Sequence, residues 1–270
     1  MDSQIRLLWA AAAVLAVWGT PARGISGGHS TAIEKFPYLV AIEIANTGGS
    51  CVGTIVTEQW VLTSAHCVSQ AKDKLEAISV RSEATTRHAG GKLHSVAAVE
   101  KHPKLNNTGP FPTYDAALLR LKDKIDTSGA AAARATLAKA GDDDPDWQHK
   151  LLVAGWGAVS EDYDGNEYPE VLMAARLPAV PRHLCELVQT KSRFLPSMLC
   201  AGVYGKDWCE NDGGAPLVRE DTRAVVGIAS WHAFGQCSSP GSAGVAGYPA
   251  VYTKVGDKEI RKWIADKTWV

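Results

Sequence analysis

Cys209-Glu210-Asn211-Asp212-Gly213-Gly214-Ala215-Pro216-Leu217 is a glycine-rich turn that opens on a cysteine and runs into an apolar, strand-like stretch. Two shorter stretches frame its reading. Thr63-Ser64-Ala65-His66-Cys67 directly follows the apolar run from Trp60, and Tyr114-Asp115-Ala116-Ala117-Leu118-Leu119 begins another such run. Each alone is weak. Taken in order, they place a histidine, an aspartate and a glycine-rich loop next to strands, with cysteines around them.

Strand-like runs recur along the chain: 38–44, 51–57, 60–64, 77–81, 116–121, 151–154, 224–230 and 250–255. They are short, rich in Val, Ile, Leu and aromatic residues, and separated by Gly, Pro, Asn and Asp. That pattern predicts an all-β sandwich or barrel rather than alternating strand and helix. Between Asp123 and Trp147 the sequence turns alanine-rich and then acidic, with Asp142, Asp143 and Asp144 in a row. This segment reads as a crossing between two lobes whose alanines favour a short helix by propensity but carry almost no bulky apolar face, and whose acidic run is a solvated turn. Near the C-terminus, Ile260, Trp263 and Ile264 fall at i, i+3, i+4 spacing after Gly256-Asp257, which predicts a closing amphipathic helix.

Residues 1–24 have the layout of a signal peptide: Arg6, an apolar run to Val17, then Gly19, Pro21 and small residues. The run is about half of the roughly 20 residues a membrane span needs, and no later apolar stretch is longer. The chain is therefore expected to be secreted, with cleavage after Ala22 or Gly24 and no membrane anchor. The formal charge is −1 with acids and bases interspersed, which gives no case for nucleic acid or an anionic membrane as partner. The six cysteines, Cys51, Cys67, Cys185, Cys200, Cys209 and Cys237, are even in number in an oxidising compartment and predict three disulfides. No Cys-x-x-Cys pair occurs and the histidines are scattered, so neither a metal nor another cofactor is expected.

The three quoted stretches, together with Ile25-Ser26-Gly27-Gly28, Ala154-Gly155-Trp156-Gly157, Ser230-Trp231 and Val251-Tyr252-Thr253-Lys254-Val255, resemble the trypsin and chymotrypsin family over nearly all of residues 25–270. The resemblance implies two packed antiparallel six-stranded β-barrels with a C-terminal helix and an active-site cleft between them. It also implies the pairs Cys51–Cys67, Cys185–Cys200 and Cys209–Cys237. His66 and Asp115 match the general base and the carboxylate that orients it. The nucleophile's position, directly after Asp212, is Gly213.

Asn211 replaces a glycine of the oxyanion loop and Ala215 replaces the second glycine after the nucleophile. Both changes are expected to strain or reshape that loop. Asp207 matches the aspartate that gives trypsins their preference for Arg and Lys, while His232 and Ala250 stand where trypsins have glycines. These residues predict a partly closed pocket in which Asp207 pairs with His232. Asp212 matches the acceptor of a freed N-terminal ammonium, which cleavage before Ile25 would supply. Asn106-Asn107-Thr108 is a glycosylation sequon in a Gly- and Pro-rich loop.

The whole reads as a secreted, monomeric, non-catalytic serine protease homologue that binds, inhibits or decoys an extracellular protein, such as a host or target enzyme. In this it is similar to the glucanase inhibitor proteins. The alternative is a weak serine-type endopeptidase or esterase in which His66 activates water.

Overall fold

The computed structural model describes residues 25, 27–45, 47–72, 74–109, 111–158, 168–189, 194–203, 206–232 and 249–270. In chain order the first lobe runs β1 (His29–Ser30), β2 (Leu39–Ile44), β3 (Gly49–Thr57), β4 (Trp60–Thr63), α1 (Ala65–Ser69), β5 (Ile78–Ser82), β6 (Lys92–Lys101) and β7 (Ala117–Leu121). The second continues β8 (Thr136–Leu137), β9 (Lys150–Gly155), β10 (Met173–Val180), α2 (Arg182–Gln189), β11 (Met198–Ala201), β12 (Pro216–Arg219), β13 (Ala224–Trp231), β14 (Ala250–Lys254) and α3 (Lys258–Thr268).

Six strands of the first lobe close in the order β2-β3-β4-β7-β6-β5, with β5 returning to β2. In the second lobe β10-β11-β14-β13-β12-β9 closes through the β9–β10 ladder. Two antiparallel six-stranded barrels result, as the resemblance implied. Two short strands sit outside them: β1 pairs with β10, and β8 lies parallel to β13. β3 is buried along seven consecutive residues, whereas β5 alternates buried and half-buried. Closure removes the unpaired strand edges that an open sheet would present.

One hydrophobic cluster crosses both lobes, joining Ile25, Leu39, Val52 and Leu62 of the first to Val153, Leu217, Ile228 and Tyr252 of the second. The lobes are therefore held by shared core rather than by a hinge. α3 is capped by Asp257, whose carboxylate accepts from the backbone N–H groups of Glu259 and Ile260 and so satisfies two otherwise orphaned donors. Its Ile260, Trp263 and Ile264 are buried, as their spacing predicts.

One reading left open is decided, and one expectation needs correcting. No helix forms between residues 123 and 147. Ala133 and Ala135 instead donate backbone bonds to Pro37 and Ile55, so pairing to the first lobe overrides the alanine propensity. The acidic run is also not wholly solvated, because Asp144 is half-buried and pairs with both Arg182 and Lys254.

Cys51–Cys67 and Cys185–Cys200 are bonded, with Cα–Cα separations of 6.3 and 6.2 Å. Cys209 is disulfide-bonded as well. Its expected partner Cys237 lies outside the described residues, as does the signal-like segment 1–24. No helix among the described residues is long and apolar enough to cross a membrane.

Candidate functional site

The end of β4 delivers His66 in the first turn of α1, and the approach to β7 delivers Asp115. Their side chains meet with His66 Nδ1 2.7 Å from Asp115 Oδ2. The backbone N–H of His66 donates to Asp115 Oδ1 at 2.9 Å, and Ser230 Oγ on β13 donates to Oδ2 at 2.6 Å. Asp115 is fully buried while the His66 side chain is 31 % exposed. Burial opposes charge on His66, but the Asp115 charge and hydrogen bond outweigh it and raise the imidazole's pKa above its ordinary value. Burial likewise opposes the Asp115 carboxylate, yet the charge of His66, its hydrogen bond and that of Ser230 hold it below the ordinary range. With Nδ1 engaged, Nε2 is the ring nitrogen left to face a reacting group. Ser230 is a positioning partner that the sequence reading did not single out.

What faces Nε2 is glycine. A Cβ added to Gly213 would lie 2.7 Å from His66 Nε2 and 2.8 Å from Cys67 Sγ. The loop around it is anchored to β3: Ser50 N–H donates to Asn211 Oδ1 at 3.2 Å and Val52 N–H to the Gly213 carbonyl at 2.9 Å. Asn211 adopts the left-handed conformation that a glycine would favour, at φ 69°, a region asparagine enters more readily than most residues. The strain expected at Ala215 does not arise. The neighbouring left-handed residue is Gly214, at φ 81°.

The family model described as Trypsin matches residues 25–264. The chain belongs to the trypsin family. Among its relatives, a trypsin of Phaedon cochleariae is 33 % identical, covering 90 % of this chain and 88 % of its own. Hypodermin-B of Hypoderma lineatum is 33 % identical, over 90 % and 86 %. Of solved structures, neuropsin, a serine protease of mouse brain, superposes at TM-score 0.71 and 27 % identity over 88 % of this chain and 97 % of its own. A scabies mite inactivated protease paralogue superposes at TM-score 0.73 and 23 % identity, over 91 % and 99 %, a likeness of fold.

The residues expected to form the trypsin-family specificity pocket converge, and a further one joins them. Asp207 is buried, and its carboxylate accepts from the backbone N–H groups of Trp208, at 2.8 Å, and Ala250. His232 Nε2 stands 3.5 Å from Asp207 Oδ2, an ion-pair distance, but the two form no hydrogen bond. The two side chains are thus neighbours at the limit of hydrogen-bond reach. Trp208, which sequence reasoning passed over, is 6 % exposed, and its ring centroid lies 4.0 Å from that of His232. An indole and an imidazole together occupy space that glycine and small residues would leave open. Burial pushes the Asp207 carboxyl above its ordinary pKa, against the charge of His232 and the surrounding hydrogen bonds.

Asp212 and Ile25 are both fully buried. Asp212 accepts from Gly157 N–H at 2.7 Å and Cys209 N–H at 3.2 Å, and Gly157 must be glycine because a Cβ there would sit 2.4 Å from the carboxylate. Asn106 is exposed, and its Oδ1 accepts from Thr108 Oγ1 at 2.8 Å. Among the described residues no group of three or more His, Cys, Asp or Glu could hold a metal ion.

Proposed function

We propose that this trypsin-family protein is a secreted, non-catalytic homologue that works by binding another extracellular protein, such as a host or target enzyme, as an inhibitor or decoy. The reading rests above all on Gly213 facing His66 Nε2, where the family's chemistry requires a hydroxyl. Loss of that nucleophile costs on the order of a million-fold in turnover, roughly 8 kcal/mol at 1.36 kcal/mol per decade. His232 beside Asp207, with the Trp208 ring packed against it, supports the same conclusion from the substrate side, since a basic side chain reaching Asp207 would have to displace the imidazole.

The test is hydrolysis of Arg and Lys peptide esters by the purified protein, with benzamidine binding measured alongside. The expected rate is that of buffer, and benzamidine should bind no more tightly than about the millimolar range, near 4 kcal/mol. Turnover that disappears in a His66→Ala variant would instead establish hydrolysis by water activated at His66. Tight benzamidine binding would show the pocket to be open.

Within this proposal the chain is exported through cleavage of residues 1–24 and acts as a monomer. Asn106 carries an N-glycan, favoured by its exposure and by the Thr108 hydroxyl already placed on its amide oxygen. Glycosidase treatment of the secreted protein should lower its mass by one glycan, and the Asn106→Gln variant should show no such change; an unshifted wild type would mean the sequon is unused.

A further inference from the structure

The two described disulfides are equally shielded: Cys51 and Cys67 are 4 % and 0 % exposed, Cys185 and Cys200 0 % and 1 %. Access therefore does not separate them, but their surroundings do. Cys185–Cys200 lies among Phe194, Met198, Trp231 and Val251. Cys67 Sγ instead lies 3.7 Å from His66 Nε2. Because Nδ1 is committed to Asp115, Nε2 is the nitrogen that meets this sulfur, and Gly213 puts no side chain between them.

We propose that Cys51–Cys67 is a redox-labile bond, opened by an external dithiol with His66 as the acid that stabilises the departing Cys67 sulfur. The attacking thiolate forms a bond to Cys51 Sγ, the protein S–S bond breaks, and the electron pair leaves on Cys67 Sγ. His66 Nε2–H donates its hydrogen bond, then its proton, to that thiolate. The reductant's second thiol closes its own disulfide and releases Cys51 as a thiol, so two electrons pass from dithiol to protein. Exchange is faster when the leaving thiol has a lower pKa, and an adjacent imidazolium lowers it. Asp115 is the charged group that bears on the ring, with neutral Ser230 behind it, and it keeps the imidazolium populated to higher pH than an isolated histidine would be. Opening the bond frees α1 from β3, the strand whose Ser50 and Val52 hold Asn211 and Gly213. The redox state of one bond would thereby be transmitted to the loop beside the cleft. This depends on the geometry at His66 and is independent of whether the protein hydrolyses anything.

The experiment treats the native protein with graded dithiothreitol, caps thiols with N-ethylmaleimide and identifies capped cysteines by peptide mass, with near-ultraviolet circular dichroism reporting that the fold persists. Near pH 6, Cys51 and Cys67 are expected to be capped at least about tenfold faster than Cys185 and Cys200, the advantage shrinking as pH rises past the His66 pKa. His66→Ala should remove the advantage and leave the Cys185–Cys200 rate unchanged. Equal rates, a faster Cys185–Cys200, or an advantage indifferent to pH would overturn the proposal. Because the two bonds are compared within the same wild-type molecules, the pH series decides the matter even should the alanine variant fail to fold.

Discussion

Restoring the missing hydroxyl by Gly213→Ser is expected to leave the protein inert and to make it less stable. In an otherwise intact site, supplying the nucleophile would return on the order of a million-fold in turnover. Here the space beside Gly213 is already occupied. The new Cβ would fall 2.7 Å from His66 Nε2, 2.8 Å from Cys67 Sγ and 3.2 Å from His66 Cε1, well inside van der Waals contact. Neither neighbour yields freely, since His66 is held twice by Asp115 and Cys67 is tethered to Cys51 on β3.

Accommodating a serine therefore means either tilting the imidazole off Asp115, which spoils the base, or shifting the disulfide and the strand beneath it. Overpacking of this kind typically costs about 1–3 kcal/mol. Ester hydrolysis and denaturant unfolding of wild type, Gly213→Ser and Gly213→Ala check this together. The alanine variant should lose about as much stability as the serine variant, because the clash belongs to the Cβ. A serine variant that hydrolyses Arg or Lys esters well above background would show that the hydroxyl alone was missing.

The residues legible in the sequence were those whose role is carried by a few contiguous neighbours. His66 and Asp115 each sit beside a strand-like run, and Gly213 is fixed by the turn containing it. Trp208 is equally visible, directly after Asp207, but a pocket read from its replaced glycines, His232 and Ala250, does not include it, and only the packing of its ring on His232 brings it in. Ser230 lay inside a stretch already quoted, but its hydrogen bond crosses 115 residues of sequence, and nothing local marks it.

The strands tell the same story. β3 and β7, apolar almost throughout, were plain. β6 escaped notice because it carries Lys92, His94, Ser95, Glu100 and Lys101, and β10 because Arg176 and Pro178 interrupt it. Both are strands by virtue of the ladders they complete. Asp144 looked like one of three solvated acids, and only the approach of Arg182 and Lys254 from distant segments distinguishes it.

The second large effect concerns Asp212 and the N-terminus. The buried Asp212 carboxyl is pushed up to about 7, by burial first and against the Gly157 and Cys209 hydrogen bonds and the more remote charges of Arg87 and His232. A folded-state value above the ordinary 3.8 means that the folded chain binds the proton more tightly than the unfolded chain. The stability this group contributes is thus present below about pH 4 and is lost as pH rises through about 7, a decline of roughly 4 kcal/mol over that window.

Asp207, raised in the same direction, and Asp115, lowered, add slopes of opposite sign, so the measurement is a difference. Unfolding free energy is followed from pH 4 to 8 for a chain that begins at Arg23 and for its Asp212→Asn variant. The parent should lose stability relative to the variant as pH rises. In a chain that begins at Ile25, an α-ammonium that meets Asp212 would lower the carboxyl's pKa. That chain should show the slope flattened or reversed. A slope that is the same for both starting residues would mean that the N-terminus never meets Asp212, and that the loop carrying Asn211 and Gly213 is ordered by its bonds to β3, Gly157 and Ala229 without it.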